Sequence, residues 1–219
     1  MSSNRLFIGN RRYSSWSLRG WLCVCLAGLD AEDVVIPMSE GTTPAIRDAM
    51  PAGLVPYLEH DGARVWETLA IAEYCAEHAP ALWPADRLAR AHARAIASEM
   101  HAGFRALRAT LPMNLCRPDF AGRPTNPDCD ADIARIEALW AETRTSFGAG
   151  GPYLFGADFG IADAMYAPVV ARLLTYAPPL SAASAEYCAA VRAHPLVDQW
   201  YTLAAAEPDE WHLAKYETA

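Results

Sequence analysis

The sequence predicts an α+β chain in which a small mixed sheet with its helices is followed by an all-helical domain. Three observations predict it. Short β-like runs alternate with helical patterns up to about residue 79. Strand signals almost vanish after the proline-bearing connector "PALWPAD" (80–86), and long stretches beyond it keep apolar residues at helical spacing. In order, "RLFIG" (5–9) reads as a strand and Ser14–Leu26 as a helix. "DVVIPM" (33–38) reads as a second strand, and "TTPAIRDAM" (42–50) as a short helix starting near Thr42 or Thr43. "VPYLEHDGARVW" (55–66) is a hairpin whose Asp61-Gly62 turn tolerates positive φ. "ETLAIAEYCAEHA" (67–79) is the helix that closes a βαβ–ββα unit. Beyond the connector, Ile96, Met100, Phe104, Leu107 and Leu111 keep helical spacing. So do Ile133, Ile136, Trp140, Thr143 and Phe147, and then Met165, Val169, Leu173 and Tyr176. The expected division is 1–79, a linker at 80–86, and 87–219.

Composition narrows the chemistry. A net charge of −8 over 219 residues argues against a nucleic-acid backbone as partner. Lys215 is the sole lysine, so an anion site must draw on arginine, histidine, hydroxyls or backbone N–H groups, and lysine-based catalysis is close to excluded. The six cysteines follow no metal-ligand spacing and read as small core residues with reduced thiols, which implies a cytoplasmic protein and no metal. The longest apolar run, 20–29, is too short to span a bilayer. Arg11 and Arg12 ahead of that run have the outline of an export leader. Arg19 interrupts it, however, and the following "GLDAEDVV" has no cleavage pattern, so the segment is expected to stay in the protein.

Three stretches resemble the cytosolic glutathione transferases. "GLVPYLEHDGARVWETLAIAEYC" (53–75) is similar to the signature of their first domain, and "GADFGIADAMYAP" (156–168) to the motif that opens the core helix of their second. Ser14, fourteen residues before Gly28, matches the spacing of the serine-type classes, among them bacterial theta- and zeta-like members. The resemblance implies a thioredoxin-like N-terminal domain, an all-α helical bundle, glutathione as co-substrate, a detoxifying transferase activity on small electrophiles, and a homodimer.

It also implies roles for particular residues. Val55, ahead of Pro56 in a cis peptide, would pair its backbone with the cysteinyl part of glutathione; Pro56 by itself reads equally as the start of an edge strand. Thr68 and its N–H would hold the γ-glutamyl carboxylate at a helix N-terminus, and Glu67 the ammonium; an ordinary cap uses the same atoms. Asp163 would close a capping box with Gly160 in a structural role. Ser14 is the first choice as hydrogen-bond donor to the thiolate, with Ser15 second and Tyr13 third, and Ser17 adds another hydroxyl. No cysteine stands there, which disfavours thiol-exchange chemistry. Arg11, Arg12 and Arg19 would supply positive field, although Arg19 reads equally as a structural pin of the first helix. Only Arg47 offers itself for the glycyl carboxylate. The second-substrate pocket is expected to be walled by Trp16, His101, Phe104, Arg108, Met113 and Trp211, and Arg108 with His101 hints at an acidic substrate. A zeta-like glutathione-dependent isomerase and a non-catalytic glutathione-binding module are the alternatives. Against the first, Trp16 replaces that class's cysteine.

Overall fold

The computed structural model describes residues 4–39, 43–50 and 52–217; Thr42, one of the two expected helix starts, lies outside them. Strand β1 (Arg5–Ile8) leads into α1 (Ser15–Leu26), β2 (Glu32–Val35) and α2 (Pro44–Ala49). Then come β3 (Tyr57–His60), β4 (Ala63–Trp66) and α3 (Thr68–His78). The sheet order is β2-β1-β3-β4, with β1 parallel to β2 and antiparallel to β3, and β3 antiparallel to β4. Period-two alternation sorts β1 between two layers. Leu6 and Ile8 enter the main core, and Phe7 packs with Ile46, Met50 and Tyr57 on the opposite face. Asp61 (φ 49°) and Gly62 (φ 82°) make the hairpin turn that the dipeptide calls for. β2 stops earlier than the apolar run suggests, because Pro37 has no N–H and the Met38 N–H is taken by Asn10 Oδ1 at 2.6 Å.

A 3-10 turn (Pro80–Leu82) leads to α4 (Arg87–Ala102), capped by the Asp86 carboxylate on the Ala89 N–H. After it come α5 (Arg105–Thr110), α6 (Pro127–Phe147), α7 (Ile161–Tyr176), α8 (Ala182–Ala193), α9 (Pro195–Ala205) and a short α10 (Ala214–Glu217). The spacing from Ile96 to Leu111 implied one continuous helix. The chain breaks it at Gly103 and Phe104, where Phe104 takes a left-handed conformation (φ 54°) between α4 and α5.

Two helices organise the core. α1 packs on α3 within the first domain and on α7 and α9 of the second, and α7 is buried along nearly its whole length. α1 can lie close to the Val55–Pro56 turn because position 20 has no side chain: a Cβ on Gly20 would stand 2.7 Å from Pro56 Cγ. At the head of α7, the buried Asp163 carboxylate accepts the N–H groups of Gly160 and Leu154, both at 3.1 Å, and the Tyr187 hydroxyl at 2.9 Å. Burial pushes its pKa up to about 6, against the pull of those three donors.

Asp163→Ala leaves three buried donors without an acceptor and should cost about 3 kcal/mol, read as a lowered urea midpoint. Because the folded state raises this pKa, its contribution is present below about pH 4 and is lost as the pH rises through about 6. The stability difference between wild type and Asp163→Asn should therefore shrink from pH 4 to pH 7, in paired urea titrations.

Candidate functional site

The loop before α1 is fixed by the C-terminal part of the chain. The Glu207 carboxylate accepts the N–H groups of Arg11 (2.6 Å) and Arg12 (3.2 Å), Trp200 Nε1 donates to the Arg11 carbonyl, and Asn10 Nδ2 donates to the Trp211 carbonyl. This places Ser14 as the N-cap of α1, with its Oγ accepting the Ser17 N–H (3.3 Å). Its hydroxyl is also paired with Ser17 Oγ at 2.7 Å, and Ser17 Oγ in turn accepts the Gly9 N–H at 3.0 Å. Ser14 and Ser15 are both buried yet line a large cleft, about 940 Å³ in volume. The first turn of α1 contains no acidic side chain to offset the partial positive charge of its N–H groups. Tyr13 lines the same cleft, but its hydroxyl proton is committed to Glu217 Oε1, and its oxygen accepts the Leu213 N–H. Burial, reinforced by Glu217, pushes its pKa up, so the phenolate form is suppressed.

A second, smaller cleft of about 200 Å³ adjoins the first. Val55, Pro56, Glu67 and Thr68 line it, together with Trp16 and His101, which also wall the large cleft. The Val55–Pro56 peptide is cis. Thr68 is the first residue of α3, almost wholly buried. Glu67 precedes it at φ 69°, ψ 127°, a backbone conformation that L-residues rarely adopt. Glu67 Oε2 lies 3.5 Å from His101 Nε2. Burial is the main cause holding His101 below the ordinary histidine pKa, with Arg19 and Arg108 adding to it against the pull of Glu67.

Of the residues expected at the second-substrate pocket, Trp16, His101, Arg108 and Met113 line the large cleft. Phe104 and Trp211 do not. Phe104 sits at the left-handed reversal between α4 and α5 and packs into the core. Trp211 ends a 3-10 turn whose carbonyl is held by Asn10, outside the cleft wall. The expected electrostatic roles also change. Arg11 is paired with Asp33 (2.8 Å) and Arg12 with Glu217 (3.9 Å), and neither reaches the clefts. Arg47 is occupied by Asp48 on the surface. Arg19 is the structural pin, fully buried, with Nε on the Met165 carbonyl at 2.7 Å and Nη1 on that of Ser15 at 3.4 Å.

Sequence reasoning did not place Arg105, Arg172 or Lys215 in the pocket, yet all three line the large cleft. Arg172 carried a signal: it is the lone charged residue in the apolar run "APVVARLLTYA" of a core helix. Ser17 stands out in the sequence only as one more hydroxyl, and its pairing with Ser14, the N-cap three positions earlier, comes from the structure.

The four-stranded sheet, its helices and the added helical domain define a two-domain protein of the thioredoxin-like class, with paired clefts at the N-terminus of its first helix. Residues 13–78 match the family model for the glutathione S-transferase N-terminal domain, and residues 90–203 match that for the C-terminal domain. The chain belongs to the cytosolic glutathione S-transferase superfamily. It is 29% identical over 166 residues to a probable maleylacetoacetate isomerase of Caenorhabditis elegans, spanning 73% of this chain and 74% of that protein. A glutathione transferase homologue from Burkholderia with bound glutathione superposes with a TM-score of 0.71 at 22% identity, covering 94% and 100% of the two chains. The maleylacetoacetate isomerase of Anaeromyxobacter dehalogenans with glutathione in its active site gives a TM-score of 0.66 at 25% identity, over 94% and 97%.

Tyr13→Phe removes the hydroxyl between Glu217 and the Leu213 N–H. It should lower stability by about 1 kcal/mol and speed amide hydrogen exchange in Leu213–Glu217, with exchange in β1 unchanged.

Proposed function

We propose that the chain binds glutathione in the smaller cleft and adds its thiolate to small electrophiles held in the larger one. One observation carries this reading: Ser14, capping α1, stands beside the Trp16–His101 wall that the two clefts share. In the smaller cleft, Thr68 and the unpaired N–H groups of α3's first turn receive the γ-glutamyl carboxylate, and Glu67 receives the ammonium. The Val55 backbone pairs with the cysteinyl residue as a strand would.

The sulfur is activated electrostatically. Hydroxyl protons rotate, so when Ser17 donates to Ser14 within their 2.7 Å pair, the proton of Ser14 is released towards sulfur. A hydrogen bond to a charged partner is worth about 1.5–3 kcal/mol, and one pKa unit about 1.4 kcal/mol. A single such bond therefore lowers a thiol from about 8.5 to roughly 7, raising the thiolate from a few per cent to about half at neutral pH. The helix N-terminus adds in the same direction. A sulfur lone pair forms the new C–S bond. The displaced electrons leave with a departing group, or take a proton from water when the acceptor is a double bond.

The nematode relative favours a second reading, glutathione-dependent isomerisation. Reversible addition and elimination of the same thiolate uses the same groups, but releases glutathione unchanged. Assays with an electrophile panel separate the two by whether glutathione is consumed. Capture on immobilised glutathione without turnover would point to a binding module, and no capture at all would remove the glutathione reading.

Ser14→Ala should raise the thiol pKa of the bound tripeptide, read from thiolate absorbance near 240 nm, by about 1–2 units and lower turnover at pH 7 roughly 10- to 100-fold. Full turnover in Ser14→Ala together with its loss in Ser15→Ala would reassign the donor.

A further inference from the structure

The large cleft is cationic in a way that binding glutathione next door does not explain. Arg105 and Arg108 from α5, Arg172 from α7 and Lys215 from α10 line it, and among the described residues it has no Asp or Glu in its wall. That is a sharp local reversal in a chain of net charge −8. The three arginines are not paired for structural ends. Among the described residues, none of them has a carboxylate within ion-pair distance, although ion pairs are common elsewhere on the surface.

Arg172 is the most telling. It is only 4% exposed, its Nη1 donates to the Pro168 carbonyl at 2.9 Å, and its buried Nε has no partner. Arg108 is half-buried and held with its guanidinium carbon 4.6 Å from the centroid of the Trp16 ring. Burial presses both arginines below the ordinary arginine pKa, with Arg105 adding to it at Arg108 and Arg108 adding to it at Arg172, which falls to about 10. Like charges gathered in a partly dry cleft are costly unless an anion completes them. Guanidinium groups suit that task, because a carboxylate fits their planar donor array. None of these arginines lines the smaller cleft, and Arg108 approaches it through Trp16 and His101, the wall common to both.

We propose that the second substrate is an electrophile carrying a carboxylate, which Arg172 and Arg108 receive while its reactive carbon faces Ser14. This rests on the reading that glutathione occupies the smaller cleft, and it makes Arg172 and Arg108 specificity-determining residues. A neutral electrophile of the same shape enters the same cleft but leaves the guanidinium groups uncompensated.

Calorimetric titration with three probes tests it: glutathione, S-propylglutathione and S-carboxyethylglutathione, which differ only in what projects from sulfur. The carboxyethyl conjugate should bind about tenfold more tightly than the propyl one. Arg172→Met should remove most of that preference while leaving glutathione affinity within about twofold. Arg108→Met, at a less buried position, should do the same and serves if Arg172→Met does not fold. Equal binding of the two conjugates by wild type overturns the carboxylate site and leaves the glutathione reading intact. An equal loss of affinity for all three probes in the variants overturns it too, assigning the arginines to the tripeptide. Failure of all three probes to bind wild type overturns both readings together.

Discussion

A buried guanidinium sets the geometry on which the rest of the site depends. Arg19 lies in the core with no carboxylate partner among the described residues, tying the first turn of α1 to the Met165 carbonyl of α7 across the domain boundary. Because it is four residues after Ser15, it reaches back one helical turn to that residue's carbonyl. Its charge also faces the Trp16 ring, 4.7 Å from the centroid. A lone charge in a protein interior is tolerated only when dipoles and polarizable faces surround it. Two carbonyls and an indole ring serve here, and they are the parts of the chain that set the positions of Ser14, Ser15 and Trp16. The same cation that joins the two domains thus aligns the helix end with the clefts.

The remaining order follows from how α1 is enclosed. Gly20 lets the helix press against Pro56, so the residues of the smaller cleft approach the helix from one side. α5, α7 and the C-terminal segment approach from the other. Trp16 stands between, shared by both clefts and within cation–π distance of two arginines. The helix end carries no acid, and the large cleft carries none in its wall among the described residues. Around Ser14 the cleft therefore presents a hydroxyl, a helix N-terminus, the His101 imidazole and fixed cations.

Local patterns made much of this legible. The Asp61-Gly62 turn, the strand-like β1 and the capping serine of α1 are decided within a few residues, and sequence reads such features well. The Asp163 cap was legible without a hydroxyl at Gly160, since the carboxylate alone reaches back to the N–H. What sequence could not resolve depends on contacts far along the chain. Phe104 keeps helical spacing but stands where Gly103 ends α4, so its ring goes to the core. Tyr13 has the right chemistry for a donor, but its hydroxyl donates to Glu217, some two hundred residues away. Arg11 and Arg12 read as a positive field until Asp33, Glu207 and Glu217 fold against them. Each of these outcomes is set by a tertiary partner, and periodicity carries no information about partners.

The sole lysine of the chain, Lys215, is exposed on the wall of the large cleft. Reagents that acylate amines, or surfaces that couple proteins through them, therefore meet a single ε-amino group, at the mouth of the cavity itself. Amine labelling at a pH that favours ε-amino groups over the α-amino group is thereby directed to one side chain. A fluorophore attached that way would report on what enters the cleft, and a solid support attached that way would obstruct it.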